Sequence, residues 1–127
     1  MIMRKLFRLV VTDGTGKNAD VPGFRIGGKT GTAEKPGVGG YSKTKNVSTF
    51  AAAFPMDAPR FVVIAMLDSP KGSANSFGQT TAAYTAAPVV AKVIARTGPM
   101  LGVFPDASRE VDLADMMPLL WKGKEEH

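Results

Sequence analysis

Cysteine is absent from this 127-residue chain. Its absence excludes disulfides and thiolate metal sites, and it suits either redox compartment. Histidine is nearly absent: His127 stands alone at the very end, where a tail residue is expected rather than a ligand. Neither a metal nor a cofactor is expected. No apolar run approaches the ~20 residues that a membrane span needs. Met1 to Val11 carries Arg4, Lys5 and Arg8 within a helical pattern, with no separate apolar core or cleavage site, so it does not read as a signal peptide. Aromatic residues are few, at 8%. The sixteen Lys and Arg, which give a formal charge of +5, are scattered in small groups such as Arg4-Lys5-Arg8 and Lys43-Lys45. Without a basic stripe interleaved with aromatics, no nucleic-acid partner is expected, and the charge reads as solvated surface. What remains, 44% hydrophobic and 21% charged, fits one small soluble domain.

The most informative stretch is Gly27-Gly28-Lys29-Thr30-Gly31-Thr32-Ala33, preceded by Phe24-Arg25-Ile26. Phe and Ile favour a strand, so Phe24 to Ala33 is expected to be one. Alternation then puts Lys29 and Gly31 on one face and Thr30 and Thr32 on the other. The glycines leave backbone bare for a ligand to approach. An extended ligand could bond to such an edge, with a hydroxyl and an ammonium fixing its carboxylate. Gly23 to Thr30 also satisfies G-x-x-x-x-G-K-[ST], the phosphate-binding loop. That loop needs a buried strand before it and a helix starting at its Lys. The polar run Lys17 to Pro22 precedes, and Gly31, Pro36, Gly37, Gly39 and Gly40 follow, so both flanks argue against it.

Elsewhere, Ile2, Leu6, Leu9 and Val10 predict an amphipathic helix over Met1 to Val11, ended by the turn residues Thr12 to Gly16. Glu34 to Asn46 is glycine-rich and polar and reads as a loop. Val47 to Phe54 and Arg60 to Asp68 read as strands joined by a short connection into an antiparallel hairpin. The apolar run Phe61 to Leu67 is expected to be buried on both faces. Ser69 to Thr80 reads as a loop. Ala82 to Arg96 reads as a helix packing Ala83, Ala86, Ala87, Val90, Val93 and Ile94, with Pro88 either kinking it or marking the first turn of a shorter helix. Leu101 to Trp121 reads as an irregular packing segment. The expected fold class is α+β: an antiparallel sheet of about three strands, Phe24 to Ala33 at one edge and Val47 to Phe54 in the middle, packed with helices.

Lys29-Thr30-Gly31 is also a signature of serine penicillin-recognising enzymes. The longer string Val21-Pro22-Gly23-Phe24-Arg25-Ile26-Gly27-Gly28-Lys29-Thr30-Gly31-Thr32-Ala33-Glu34-Lys35 resembles the transpeptidase domain of class B penicillin-binding proteins, in particular the septal type. The resemblance continues through Phe50 to Phe54, Phe61 to Asp68, Ala86-Ala87-Pro88-Val89 and Leu101-Gly102-Val103, nearly the whole chain. It implies the C-terminal portion of a penicillin-binding protein/β-lactamase-like fold, with residues 1–127 a fragment of that domain. It also implies a parent anchored at the periplasmic face of the inner membrane, working with division proteins to cross-link peptidoglycan stem peptides. In the parent fold the strand equivalent to Arg60 to Asp68 is central, so a second chain or self-association is expected to cover its edge.

By the same resemblance, Lys29 serves electrostatics and a proton relay. Thr30 and Thr32 bind the carboxylate of a stem peptide or β-lactam, Gly31 leaves room for the acyl chain, and the Thr32 N–H is an oxyanion-hole donor. The family's nucleophile motif, Ser-x-x-Lys, should open a buried helix upstream. Ser42-x-x-Lys45 and Ser73-Ala74-Asn75 spell its short motifs, but both follow Lys29-Thr30-Gly31 and read as chance matches. The fragment is therefore expected to be inactive alone. A non-catalytic binding or interaction module and a phosphate-loop nucleotide binder are the alternatives.

Overall fold

A computed structural model describes residues 2–37, 39–71 and 80–119. Helix α1 spans Ile2–Asp13. Strands β1 (Gly27–Gly37), β2 (Gly40–Phe54) and β3 (Phe61–Asp68) follow, then helix α2 (Ala86–Thr97). Both strand pairs are antiparallel and the sheet order is β1-β2-β3, with β2 in the middle as the sequence predicts.

The register explains the core. Gly28, Ala52 and Val63 lie in one row; Thr30, Phe50 and Ala65 form the next. Phe50, Ala52 and Phe54 from this face pack with Ala86, Ala87, Val90 and Ile94 of α2, joined by Val11, Phe24, Ile26 and Val103. A Cβ on Gly28 would sit 2.5 Å from the Ala51 carbonyl oxygen and 2.7 Å from the Phe50 ring, so only glycine lets β1 close over Phe50. Pro88 falls in the first turn of a helix that begins at Ala86, where its missing N–H costs nothing, so the shorter of the two helices is the one formed. Val93, expected in the core, is 37% exposed.

Four expectations are corrected. Phe24-Arg25-Ile26 is not strand: Gly23 and Arg25 take positive φ values of 86° and 53°, and β1 starts at Gly27. The Arg25 carbonyl instead accepts the Met56 N–H at 2.8 Å. Glu34 to Asn46 is not a loop. It continues β1 and β2 into a long hairpin whose last pair is Gly37 with Gly40, with a register shift after Glu34 that leaves extra residues on β2. The expected face of α1 holds only in part: Leu9 is buried and Leu6 and Val10 are half-buried, but Ile2 is exposed, and the buried set includes Arg8 and Val11. Finally, β3 is covered on one face only, where Phe61, Val63 and Ala65 are partly buried against the core. Its burial alternates, and Val62, Ile64 and Met66 are 65–70% exposed. Of the tail, Val103 and Met116 are buried; Trp121 and the Ser73-Ala74-Asn75 motif lie outside the described residues.

Candidate functional site: the free edge of the first strand

Strand β1 borders the sheet, so one of its sides has no strand partner among the described residues. Which residues turn toward that side follows from the ladder. The Asn46 carbonyl accepts the Ser69 N–H at 2.7 Å, so Asn46 turns its backbone toward β3. Alternation then sends Ser48, Phe50 and Ala52 toward β3, and Val47, Thr49 and Ala51 toward β1. Thr49 and Ala51 pair with Gly31 and Lys29. Thr30 and Thr32, opposite Phe50 and Ser48, therefore aim N–H and C=O at the free edge. The Lys29 Nζ agrees with this, donating to the Thr30 carbonyl at 3.2 Å and to Thr30 Oγ1 at 3.4 Å.

The structure thus brings Lys29, Thr30, Gly31 and Thr32 together on one edge. Thr30 Oγ1 lies 3.3 Å from Thr15 Oγ1, in the turn that follows α1. Gly31 is open, its nearest neighbour being the Thr49 carbonyl oxygen at 3.9 Å from a built Cβ. Thr32 Oγ1 accepts the Ala82 N–H at 3.0 Å, which leaves the hydroxyl proton free to be donated. On the Lys29 face of the sheet, a hollow of 380 Å³ is lined by Phe7, Gly27, Ala51, Ala53, Met56 and Val62 among others.

Three supporting groups escaped the sequence reading. Ser48 and Asn46, both buried, hold the segment before α2: Ser48 Oγ donates to the Thr80 carbonyl at 2.8 Å, and Asn46 Nδ2 to Thr80 Oγ1 at 3.1 Å. That places Ala82 against Thr32. Arg8, also buried, donates to both oxygens of Glu110 (2.9 and 2.8 Å), to Asp20 (2.9 Å) and to the Ile26 carbonyl just before β1 (2.8 Å). Burial opposes its charge, but the bonds to Glu110 and Asp20 outweigh that and raise its pKa. Arg25 donates to Asp57 Oδ1 at 2.6 Å and to the Gly23 and Asp106 carbonyls, while Arg109 takes the other Asp57 oxygen at 2.7 Å. Burial favours protonated Asp57, yet the hydrogen bond and charge of Arg25, with Arg109, hold its pKa below the usual carboxylate value. The one signal in the sequence was Gly23, whose positive φ sets up the turn that carries Arg25.

Two formal motifs do not join the site. Ser42 to Lys45 lies in β2 and not at the start of a helix, where the Lys would stand one turn from the Ser. Gly23 to Thr30 runs into β1, where a phosphate loop needs a helix after its Lys.

Comparison with known proteins identifies the family. The penicillin binding protein transpeptidase domain family matches residues 1–95. A probable peptidoglycan D,D-transpeptidase FtsI of Caulobacter vibrioides is 48% identical over 110 residues, covering 80% of this chain and 19% of that protein. The stage V sporulation protein D of Bacillus subtilis is 42% identical over 103 residues, 81% of this chain and 15% of that protein. Among solved structures, the penicillin binding protein 3 of Mycobacterium tuberculosis complexed with ampicillin superposes with a TM-score of 0.68 at 30% identity, covering 81% of this chain and 24% of that one. The transpeptidase domain of the Burkholderia pseudomallei penicillin-binding protein 3 gives 0.68 at 36% identity, covering 81% and 30%. The chain spans under a fifth of the length of both sequence relatives. No described helix is long and apolar enough to cross a membrane.

Proposed function

This chain belongs to the penicillin-binding protein transpeptidase domain family, and from that premise we propose that residues 1–127 are the C-terminal portion of a peptidoglycan D,D-transpeptidase and form its substrate-binding edge. The observation that carries the reading is the outward turn of the Thr30 and Thr32 backbone beside the Lys29 ammonium. An extended stem peptide, or a β-lactam in its place, lies along β1 as an added strand. Thr30 and Thr32 hydroxyls donate to its terminal carboxylate, next to Lys29. The Thr32 N–H is one donor to the oxyanion that forms when a serine attacks the acyl carbon, a contact whose loss costs about 10²–10³ in rate. Lys29 contributes positive potential and a stop on the proton's route. Gly31, with no side chain, lets the acyl chain pass.

The serine and its lysine base come from elsewhere in the catalytic domain. The placement of Ser42 to Lys45 in a strand supports that view, because the motif belongs at the start of a helix that sets the Lys one turn from the Ser. The whole enzyme works at the periplasmic face of the inner membrane, with division proteins as partners, and is acylated by penicillins.

Two measurements test this. Fluorescent penicillin should leave the 127-residue chain without covalent label; a labelled chain overturns the missing nucleophile. Titration with N-acetyl-D-alanyl-D-alanine, followed by amide NMR, should move the Thr30 and Thr32 signals and lose that effect in Lys29→Ala. Shifts confined to other regions would overturn the site.

A further inference from the structure

The turn Gly14-Thr15-Gly16, which follows α1, ends beside the β1 edge. Its backbone is pinned: the Gly14 and Gly16 N–H groups both donate to the Val10 carbonyl at 3.0 Å. Gly16 is buried, and a Cβ there would lie 3.2 Å from Val11 and 3.3 Å from the Phe50 ring. The missing side chain lets the turn settle on Phe50, which is the ladder partner of Thr30. Thr15 is thereby held beside Thr30, with the two hydroxyl oxygens 3.3 Å apart.

A hydroxyl has one proton to donate and two lone pairs to accept with, whereas an ionised carboxylate only accepts. Thr30 therefore serves a carboxylate only if its own proton points to the ligand. Lys29 Nζ, a donor without a lone pair, lies 3.4 Å from Thr30 Oγ1 and fills one acceptor position. If Thr30 donated to Thr15, no proton would remain for the ligand. If Thr15 donates, the second acceptor position is filled and the Thr30 proton is left for the carboxylate. The Thr15 proton has no other acceptor among the described residues. Thr32 is arranged alike, since it accepts the Ala82 N–H and keeps its proton. The two tethers are joined: Asn18, three residues after Thr15, donates from Nδ2 to the Ala83 carbonyl at 2.7 Å.

We infer that Thr15 is a positioning residue of the carboxylate subsite: its hydroxyl donates to Thr30 Oγ1 and so directs the Thr30 proton to the ligand's terminal carboxylate. The inference rests on β1 being the substrate edge. A carboxylate that draws the Thr30 proton outward makes Thr30 Oγ1 a stronger acceptor, which strengthens the bond from Thr15 in turn. The effect is selective for an anionic terminus. A neutral carboxamide carries no charge to polarise the two hydroxyls and gains less from them.

The test titrates the 127-residue chain with N-acetyl-D-alanyl-D-alanine and with its C-terminal amide, each followed by amide NMR. The unaltered chain should bind the acid more tightly than the amide. Thr15→Val should weaken binding of the acid roughly three- to tenfold, the worth of one hydrogen bond, and leave the amide unchanged. Thr15→Ser keeps the donor and should bind as the unaltered chain does. In a Thr30→Val background, Thr15→Val should have no further effect, because the oxygen it acts on is gone. Thr15 is exposed, so its variants should keep the urea midpoint. If the unaltered chain prefers the acid and Thr15→Val keeps that preference in full, the inference is overturned while the substrate edge stands. An equal loss for acid and amide also overturns it, since Thr15 would then only support the backbone. An unaltered chain that does not distinguish acid from amide overturns the substrate edge and this inference together.

Discussion

Replacing Arg8 by Met should cost this fold about 2–4 kcal/mol, mostly through one carbonyl. The side chain is 5% exposed and makes four hydrogen bonds. Three go to carboxylates that can rehydrate once released, because the Glu110 and Asp20 side chains are 51% and 35% exposed. Each such pair is worth ~0–1 kcal/mol after solvent screening. The fourth goes to the buried Ile26 carbonyl. A hydrogen bond from a charged donor is worth ~1.5–3 kcal/mol, and an orphaned buried acceptor costs ~1–3. Opposing this, Met relieves the desolvation of a buried guanidinium, and that gain can make a buried ion pair dispensable. Here the carbonyl cannot follow its partner into water, so the loss should win. Glu110→Gln, which spares that bond, should cost less than ~1 kcal/mol.

Urea unfolding separates the two variants. With a slope of ~1–3 kcal/mol per molar, Arg8→Met should lower the midpoint by about 1–2 M and Glu110→Gln by a few tenths. Amide exchange should also quicken at Gly27 and Gly28, because Ile26 is where α1 is tied to the start of β1. An Arg8→Met midpoint equal to that of Glu110→Gln would refute the reasoning, since the carboxylates would then carry the whole effect.

Other outcomes follow from the same geometry. Gly28→Ala should destabilise by ~1–3 kcal/mol, because its Cβ meets backbone and the Phe50 ring, whereas Gly31→Ala should leave the urea midpoint unchanged and weaken dipeptide binding. Thr32→Val removes the acceptor of the Ala82 N–H and should cost about 1 kcal/mol in unfolding, with the Ala82 amide exchanging faster. Glu110 is held below its usual pKa first by the Arg8 hydrogen bond, and Asp57 by Arg25 and Arg109 against the pull of burial. Both bind protons less readily when folded, so their stabilisation is complete above ~pH 5 and fades as pH falls through the folded values. Thermal melts from pH 6 downward should show this loss, and Glu110→Gln should flatten it.

How much of this could be read beforehand depends on the kind of signal. The order of the sheet was legible because Val47 to Phe54 and Arg60 to Asp68 are β-rich runs joined by a few residues, which almost dictates a hairpin. The contents of the edge were legible because Lys29-Thr30-Gly31-Thr32 is a local string on one strand. The hairpin arm over residues 34–46 was not, since Gly37, Gly39, Gly40 and Pro36 argue for a loop and only the cross-strand ladder overrides them. The one-sided burial of β3 was hidden for a related reason. An unbroken apolar run looks the same whether two faces are covered or one, and Val62, Ile64 and Met66 differ from Val63 only in what lies above them.

The buried arginines mark a deeper gap. Arg8 and Arg25 look like any surface cation in the sequence, and burial of Arg is rare enough that solvation is the sound prior. What buries them is partners far along the chain: Glu110 for Arg8, and Asp57 with the Asp106 carbonyl for Arg25. These contacts bring residues 106–110 back against the segment that leads into β1, 80 or more positions earlier. Arg8 grips the Ile26 carbonyl, and Arg25 braces its own positive-φ turn two residues before Gly27. Together they set the point and angle at which β1 enters the sheet. The edge that presents Thr30 and Thr32 is therefore written locally in its residues and non-locally in its aim. A sequence change at Glu110 or Asp57 would act on it without touching it.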